Sequence, residues 1–275
     1  MKFGIAIFPT DQSIGVAELT REVESRGFES FWVPEHTHIP VSRRTPYPGG
    51  TELPEMYKRT LDPFVALTVA AMNSSTLLLG FGIVLIVERD PITTAKAVAS
   101  LDLVSGGRVI FGIGGGWNLE EMENHGTDPK LRWRLLRERL LAMREIWTRD
   151  EAEFHGALVD FDPIWSWPKP LQNPLPIYIG GNTEHTLKRV VELGDGWIPN
   201  AGRGRLVAQI PEFRRLCEES GRGPQPITVY GSRPTAEAIE DYRALGVDRL
   251  VFWMPSRPRD EVLTELDKVT RLVST

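Results

Sequence analysis

Ser25-Arg26-Gly27-Phe28-Glu29-Ser30-Phe31-Trp32-Val33 decides the fold, because its order of events returns twice further along the chain. The cousins are Leu193-Gly194-Asp195-Gly196-Trp197-Ile198 and Leu245-Gly246-Val247-Asp248-Arg249-Leu250-Val251-Phe252. In each, a glycine stops a helix and a short β-rich run follows. Glycine suits the left-handed residue past a helix end, and runs without polar alternation are those of parallel strands buried on both faces. The repeat is a βα unit. Counting such runs predicts eight strands, near Lys2 to Phe8, Ser30 to Pro34, Leu77 to Val84, Val109 to Ile113, Ile177 to Ile179, Gly196 to Ile198, Ile227 to Tyr230 and Leu250 to Trp253.

Between them lie helical patterns. Val16, Leu19 and Val23 share one face, and so do Leu136, Leu140, Met143 and Trp147. Asp62-Pro63 and Asp90-Pro91 each read as an N-cap followed by proline in the first turn. Eight alternations without a linker predict an α/β fold of the (β/α)8 TIM barrel type, one domain over residues 1–275. A doubly wound sheet is the alternative. It is weakened because the glycine-rich turn at Gly112 follows the fourth strand, not the first, and lacks the third glycine of the dinucleotide fingerprint.

A formal charge of -5 with interleaved signs argues against nucleic acid as a partner, since phosphate backbones demand a basic face. The longest apolar stretch, Leu77 to Val87, is too short to span a bilayer. One cysteine, Cys217, excludes an internal disulfide, and Met1-Lys2-Phe3 runs into a strand without a signal-peptide pattern, so a cytoplasmic protein is expected. Two segments exceed ordinary connection length: Glu35 to Leu61, and Arg149 to Pro176, with a short hairpin over Glu153 to Phe161. Both are expected to be functional loops on the barrel rim.

Reacting groups in a barrel sit at the carboxyl ends of strands. After the second strand come Glu35 and His36, where a carboxylate next to a histidine can orient or tune an imidazole. After the fourth comes Gly112-Ile113-Gly114-Gly115-Gly116-Trp117-Asn118, either a tight turn or a bare backbone against which something flat and polar lies. After the fifth comes Ile179-Gly180-Gly181-Asn182-Thr183-Glu184, which reads as a phosphate seat at a helix amino terminus, or as a helix capped by Thr183. In Leu79-Gly80-Phe81-Gly82-Ile83, glycine inside a core strand points to a bulge or close ligand approach. His36-Thr37-His38 also has the form of a zinc-binding His-x-His, but later strands supply too few further ligands, so no metal is expected. No nucleophile arrangement is recognisable.

The series Phe31-Trp32-Val33-Pro34-Glu35-His36, Leu79-Gly80-Phe81-Gly82-Ile83, Asp90-Pro91, Leu101 to Arg108, Phe111 to Asn118, Pro176 to Asn182 and Gly194 to Pro199 resembles the bacterial luciferase-like flavin monooxygenase family. It is most similar to the branch that uses the deazaflavin coenzyme F-420. The likeness runs from Met1 to about Pro199 and weakly beyond. It implies a barrel with the ring of the cofactor against a third-strand bulge, and a non-proline cis peptide at Gly82-Ile83. It also places His36 near the reactive edge of the ring, Gly115, Gly116 and Asn118 beside the ring or its polyol chain, and Gly180, Gly181, Asn182 and Thr183 near the phosphate. Sugar-phosphate-oxidising relatives carry a carboxylate after the glycine run; Trp117 stands there in this chain, which argues against glucose phosphate as substrate.

The expected chemistry is hydride transfer between F-420 and a small, fairly apolar organic substrate, with His36 as acid or base and Glu35 beside it. Tyr47, Trp117, Trp165, Trp167 and Trp253 are candidate pocket walls, and Arg43, Arg44, Lys58 and Arg59 candidate attractants for the anionic tail of the coenzyme. Rival readings are an FMN-dependent monooxygenase supplied by a separate reductase, a non-catalytic flavin-binding protein, and a metallohydrolase. The likeness alone implies a homodimer.

Overall fold

The computed structural model describes residues 1–50, 52–202 and 206–274. Its strands are β1 (Lys2–Ala6), β2 (Ser30–Val33), β3 (Leu78–Phe81), β4 (Val109–Ile113), β5 (Glu151–His155), β6 (Asp160–Trp165), β7 (Ile177–Gly180), β8 (Gly196–Ile198), β9 (Thr228–Ser232) and β10 (Arg249–Trp253). Eight of them are parallel neighbours in the order β8-β7-β4-β3-β2-β1-β10-β9. The ring closes between β8 and β9 through isolated parallel bridges, with Trp197 N donating to Pro226 O at 2.9 Å and Tyr230 N to Pro199 O at 2.8 Å. The architecture is a luciferase-like TIM barrel, as the repeated βα unit predicts.

Helices α1 (Val16–Ser25), α2 (Met56–Arg59), α3 (Pro63–Met72), α4 (Pro91–Ser105), α5 (Leu119–Asn124), α6 (Arg132–Thr148), α7 (Glu184–Leu193), α8 (Leu206–Glu219), α9 (Ala236–Ala244) and α10 (Arg259–Val273) lie in the connections. Their starts are where the sequence puts them. Asp62 accepts from Phe64 N and Val65 N ahead of α3, and Asp90 accepts from Thr93 N ahead of α4, each with proline in the first turn. Helix α4 stops at Gly106, whose φ of 73° is left-handed. Leu136, Leu140, Met143 and Trp147 of α6 are all buried.

Alternation along the strands separates two cores. Phe31, Val33, Leu79, Phe81, Phe111 and Phe252 face the helices, whereas Ala6, Trp32, Ile110, Tyr178, Ile198, Tyr230 and Val251 form a second cluster. The alternation places that second cluster inside the barrel. Trp32 fills most of one layer, and this explains Gly80: a Cβ there would lie 2.1 Å from Trp32 Cε3. The indole, not a ligand, requires that glycine, which corrects the sequence expectation. The bulge comes later. Gly80 pairs with Ile110 and Val84 with Ile113, so four steps along β3 match three along β4, and the Gly82-Ile83 peptide within the bulge is cis. Strand β3 therefore ends at Phe81 and not at Val84.

The second long segment differs from expectation. Strands β5 and β6 form an antiparallel hairpin tied to α6 by Glu138, whose Oε2 accepts from Leu158 N at 2.6 Å and Val159 N at 3.1 Å. A helix-to-strand connection enters β7 at its amino end, away from the barrel face that carries chemistry. Trp165 and Trp167 are accordingly 80% and 57% exposed and wall no pocket there.

Candidate active site

A cleft of about 240 Å³ opens at the carboxyl ends of the strands, near the lower end of the size range of ligand sites. Glu35 and His36 enter it after β2, Gly82 and Ile83 after β3, Gly114 to Trp117 after β4, Gly180 and Gly181 at β7, Asn200 after β8, and Tyr230 and Trp253 from β9 and β10. The 35–61 segment contributes Tyr47, Pro48 and Tyr57, and is pinned over the site by Glu120 of α5, which accepts from Thr45 N at 3.0 Å and Thr45 Oγ1 at 2.7 Å.

His36 is buried, and its Nδ1 lies 2.7 Å from Glu121 Oε2. Trp117 Nε1 donates to His36 Nε2 at 3.3 Å. An indole N–H can only donate, so Nε2 is the acceptor and Nδ1 carries the hydrogen toward Glu121. Nε2 thus lies on the cleft side of the ring, with its lone pair taken up by the Trp117 indole. Around it stand aromatic rings: Tyr57 at 5.2 Å and Trp117 at 5.7 Å between centroids, with Tyr47 edge-on to both. Across the cleft Phe8 stacks on Trp253 at 5.1 Å. The walls are mainly aromatic and aliphatic, with the imidazole, Asn200, the tyrosine hydroxyls and exposed main chain as polar points, and the Tyr230 hydroxyl is buried without a partner among the described residues.

Glu35 does not serve His36. Its oxygens accept from Leu85 N at 2.6 Å and Arg89 Nε at 2.5 Å, and Arg89 also meets Asp62 at 2.6 Å. Burial pushes the Glu35 carboxyl up, against the pull of Arg89 and the Leu85 N–H. The carboxylate on the imidazole is Glu121, 85 positions from His36 and not singled out by sequence.

The glycine clusters are less bare than their sequence suggests. A Cβ on Gly114 would meet Ile83 Cδ1 at 2.7 Å, and one on Gly115 would meet Trp133 at 2.5 Å. Both glycines still line the cleft on their other side, as does Gly116 with its left-handed φ of 68°. Gly180 and Gly181 line it too, but Asn182 and Thr183 face elsewhere. Asn182 bonds Asn200 N and O at 2.9 Å each, and Thr183 caps α7 in a reciprocal box with Thr186. Asn118 lies under the site, with both amide atoms buried and unpartnered among the described residues. Of the four basic residues assigned to a tail, Arg44 pairs with Glu120, and Lys58 and Arg59 with Glu55. Arg43 has a buried nitrogen without a partner among the described residues.

Two further arginines stand beside Trp133. The Arg189 guanidinium carbon is 3.8 Å from its ring centroid and that of Arg132 is 5.0 Å away. Arg132 Nε and Arg189 Nη1 are buried and have no partner among the described residues, and burial together with Arg132 lowers the Arg189 pKa. Two like charges with idle donors are arranged to meet an anion. Among the described residues no three His, Cys, Asp or Glu groups are placed to hold a metal ion, and no helix is long and apolar enough to cross a membrane.

The sequence pattern of the luciferase-like monooxygenases matches residues 1–253. The chain belongs to the luciferase-like monooxygenase family. An uncharacterized protein of Mycobacterium tuberculosis is 39% identical over 274 residues, covering 98% of this chain and 97% of its own. Among solved structures, the monooxygenase RslO1 from Streptomyces bottropensis superposes with a TM-score of 0.83 at 18% identity, covering 100% of this chain and 99% of that one. An F-420-dependent secondary alcohol dehydrogenase in complex with an F-420–acetone adduct superposes with a TM-score of 0.79 at 18% identity, covering 99% and 98%. At that identity the superpositions show the fold. The family implies an oxidoreductase with a flavin or deazaflavin, and the residues present fit such a group: a flat apolar cleft edged by glycine backbone, with two idle guanidinium donors beside Trp133 for an anionic end.

Proposed function

We propose that this protein transfers a hydride between the deazaflavin F-420 and a small, fairly apolar organic substrate, with His36 as the acid–base group. The observation that carries the reading is an imidazole held at Nδ1 by Glu121, whose Nε2 is the acceptor on the side of the aromatic cleft and is bonded there by the Trp117 indole, which a substrate donor would replace. When bound, the coenzyme supplies the carbon that gives or accepts the hydride. The chain supplies the rest. Gly82, Ile83, Gly115, Gly116, Gly180 and Gly181 offer main chain and small side chains to the ring, Arg132 and Arg189 offer donors to phosphate, and Tyr47, Tyr57 and Trp117 exclude water around His36. His36 would take a proton from the substrate oxygen or nitrogen at Nε2 as the hydride leaves, becoming imidazolium, and in the reverse direction the imidazolium so charged would return it. Glu35 supports the bulge through Leu85, Asn182 ties its turn to Asn200, and Thr183 caps α7.

Likeness to the F-420-dependent alcohol dehydrogenase supports F-420 as the cofactor, and likeness to RslO1 keeps a monooxygenase as the second reading, for which we propose FMN fed by a separate reductase. Titration of the purified protein with each cofactor distinguishes them: F-420 binding is expected, and tight FMN binding without F-420 binding reverses the choice. His36→Ala is expected to slow hydride transfer roughly 10²–10⁴-fold with coenzyme affinity nearly intact, and an unchanged rate removes His36 from the chemistry. The reading includes a homodimer. Val65, Val69 and Met72 recur at helical spacing on the outer side of α3, with Leu61 just ahead of its cap, between 37% and 69% exposed, a surface suited to a second copy.

A further inference from the structure

Behind His36 lie two buried acids that the proposed reaction does not itself consume. Glu121 is wholly enclosed; beyond its bond to His36 Nδ1, its Oε1 accepts from Thr37 N at 3.1 Å. Glu88 is an electrostatic neighbour of Glu121, with a side chain 1% exposed and both carboxyl oxygens without a hydrogen-bond partner among the described residues. It sits beneath the glycine turn, where a Cβ on Gly116 would be 3.8 Å from Glu88 Oε1, with Leu85 and Met122 as neighbours of the same point.

No charged group around Glu88 donates a hydrogen bond to it, although Arg139, with a buried Nε unpartnered among the described residues, and Arg89 pull its pKa down. Arg89 is divided between Glu35 and Asp62, and Arg139 of α6 donates to Ile86 O. His125 Nε2 is 3.9 Å away, too far for a hydrogen bond, and burial lowers its pKa toward the neutral ring. The remaining neighbours, Glu121 and Glu35, are acids. An ionised carboxylate with no donor in such surroundings is unfavourable, and taking up a proton removes the charge. Burial first, then Glu121 and Glu35, push the Glu88 carboxyl up to about 9.

We infer that Glu121 is the positioning residue of His36, and that Glu88 is kept as an uncharged carboxylic acid beside it so that the pair presents one negative charge to the imidazole. A single charge at Glu121 fixes the Nδ1–H tautomer and keeps Nε2 an acceptor on the cleft side, bonded by the Trp117 indole until a ligand donates in its place. A second full charge beside it would favour the doubly protonated ring and occupy the nitrogen that faces the substrate. The device thus sets which proton state of His36 meets a ligand. It rests on the reading of His36 as the acid–base group, but both of its parts are measurable with no cofactor bound.

The test is spectroscopic. Nitrogen-15 spectra of the histidine-labelled protein at pH 7, assigned with His36→Asn, are expected to show His36 as the Nδ1–H tautomer. Glu121→Gln, which can donate to Nδ1, is expected to convert it to the Nε2–H form. An Nε2–H ring in the unsubstituted protein overturns the first part, and that spectrum decides the matter even where Glu121→Gln fails to fold. For the second part, the infrared difference between the unsubstituted protein and Glu88→Gln at pH 7 is expected to contain a carboxylic-acid carbonyl band that shifts in D2O. Its absence means that Glu88 is ionised and overturns the inference. If the protein binds neither F-420 nor FMN, these spectra stand unchanged, so the two readings fail separately.

Discussion

Replacing Glu88 with glutamine probes the buried acid through stability alone. A glutamate in an unfolded chain titrates near 4.3, whereas burial and the neighbouring acids raise Glu88 in the folded protein to about 9. The folded-state value lies above the unfolded one, so the stabilising contribution is complete below about pH 4 and is lost as pH rises toward 9. Between pH 6 and pH 8 the folded chain binds one proton that the unfolded chain does not. That removes about 1.4 kcal/mol of stability per pH unit, or about 3 kcal/mol over the interval. Glutamine carries no charge and needs no proton. Its amide occupies the same unpartnered place, at a cost of about 1–3 kcal/mol, but that cost is the same at every pH. The slope is therefore the readout, not the offset. Urea unfolding followed by the fluorescence of the eight tryptophans, at pH 6, 7 and 8, gives it directly. The unsubstituted protein should lose midpoint faster than Glu88→Gln as pH rises. Parallel lines for the two proteins would refute the buried proton.

Gly80→Ala forces a methyl group to within 2.1 Å of a fully buried indole and is expected to lower stability by about 1–3 kcal/mol in urea melts; an unchanged midpoint would show that Trp32 does not fill that layer. Substituting Arg132 and Arg189 together by glutamine is expected to weaken FMN or F-420 binding roughly 10–100-fold, the worth of about 1.5–3 kcal/mol for a charged hydrogen bond. Riboflavin, which lacks the phosphate, is the control, and equal losses for FMN and riboflavin would place the phosphate elsewhere. Val65→Asp puts a charge on the exposed apolar side of α3, where the residue is 60% exposed, and sedimentation is expected to show a dimer become a monomer without loss of secondary structure. A monomeric parent protein would remove that surface from the account.

The barrel was legible because each parallel strand announces itself as an apolar run after a glycine stop, and the caps at Asp62 and Asp90 are local hydrogen bonds between residues a few positions apart. The strand glycines pointed to a bulge near Gly82, and only the cis peptide at Gly82-Ile83 was legible solely through family resemblance. What escaped the sequence depends on topology. Glu121 reads as an ordinary acid in a helix's first turn, favourable to the helix dipole, and only the ring order, with β3 alone between β2 and β4, brings it to His36. Glu35 was misjudged for the converse reason: adjacency in sequence put it next to His36, yet alternate side chains diverge and its carboxylate turned to Leu85 and Arg89. Trp165 and Trp167 look like pocket residues until one notes that their segment leads into a strand and so lies at its amino end. Arg132 and Arg189 are ordinary helix-surface arginines in the sequence, and only the shared face of Trp133 joins them.

The joint between β8 and β9 leaves the cylinder unevenly laced. Around most of its circumference the staves share registered ladders, but here isolated bridges carry the load. Such a seam parts at lower free energy than the rest, and deuterium should replace the amide hydrogens of Trp197 and Tyr230 ahead of those in β1 and β2. Ile198 and Tyr230 also border the cleft, so the loosely laced seam is part of its wall.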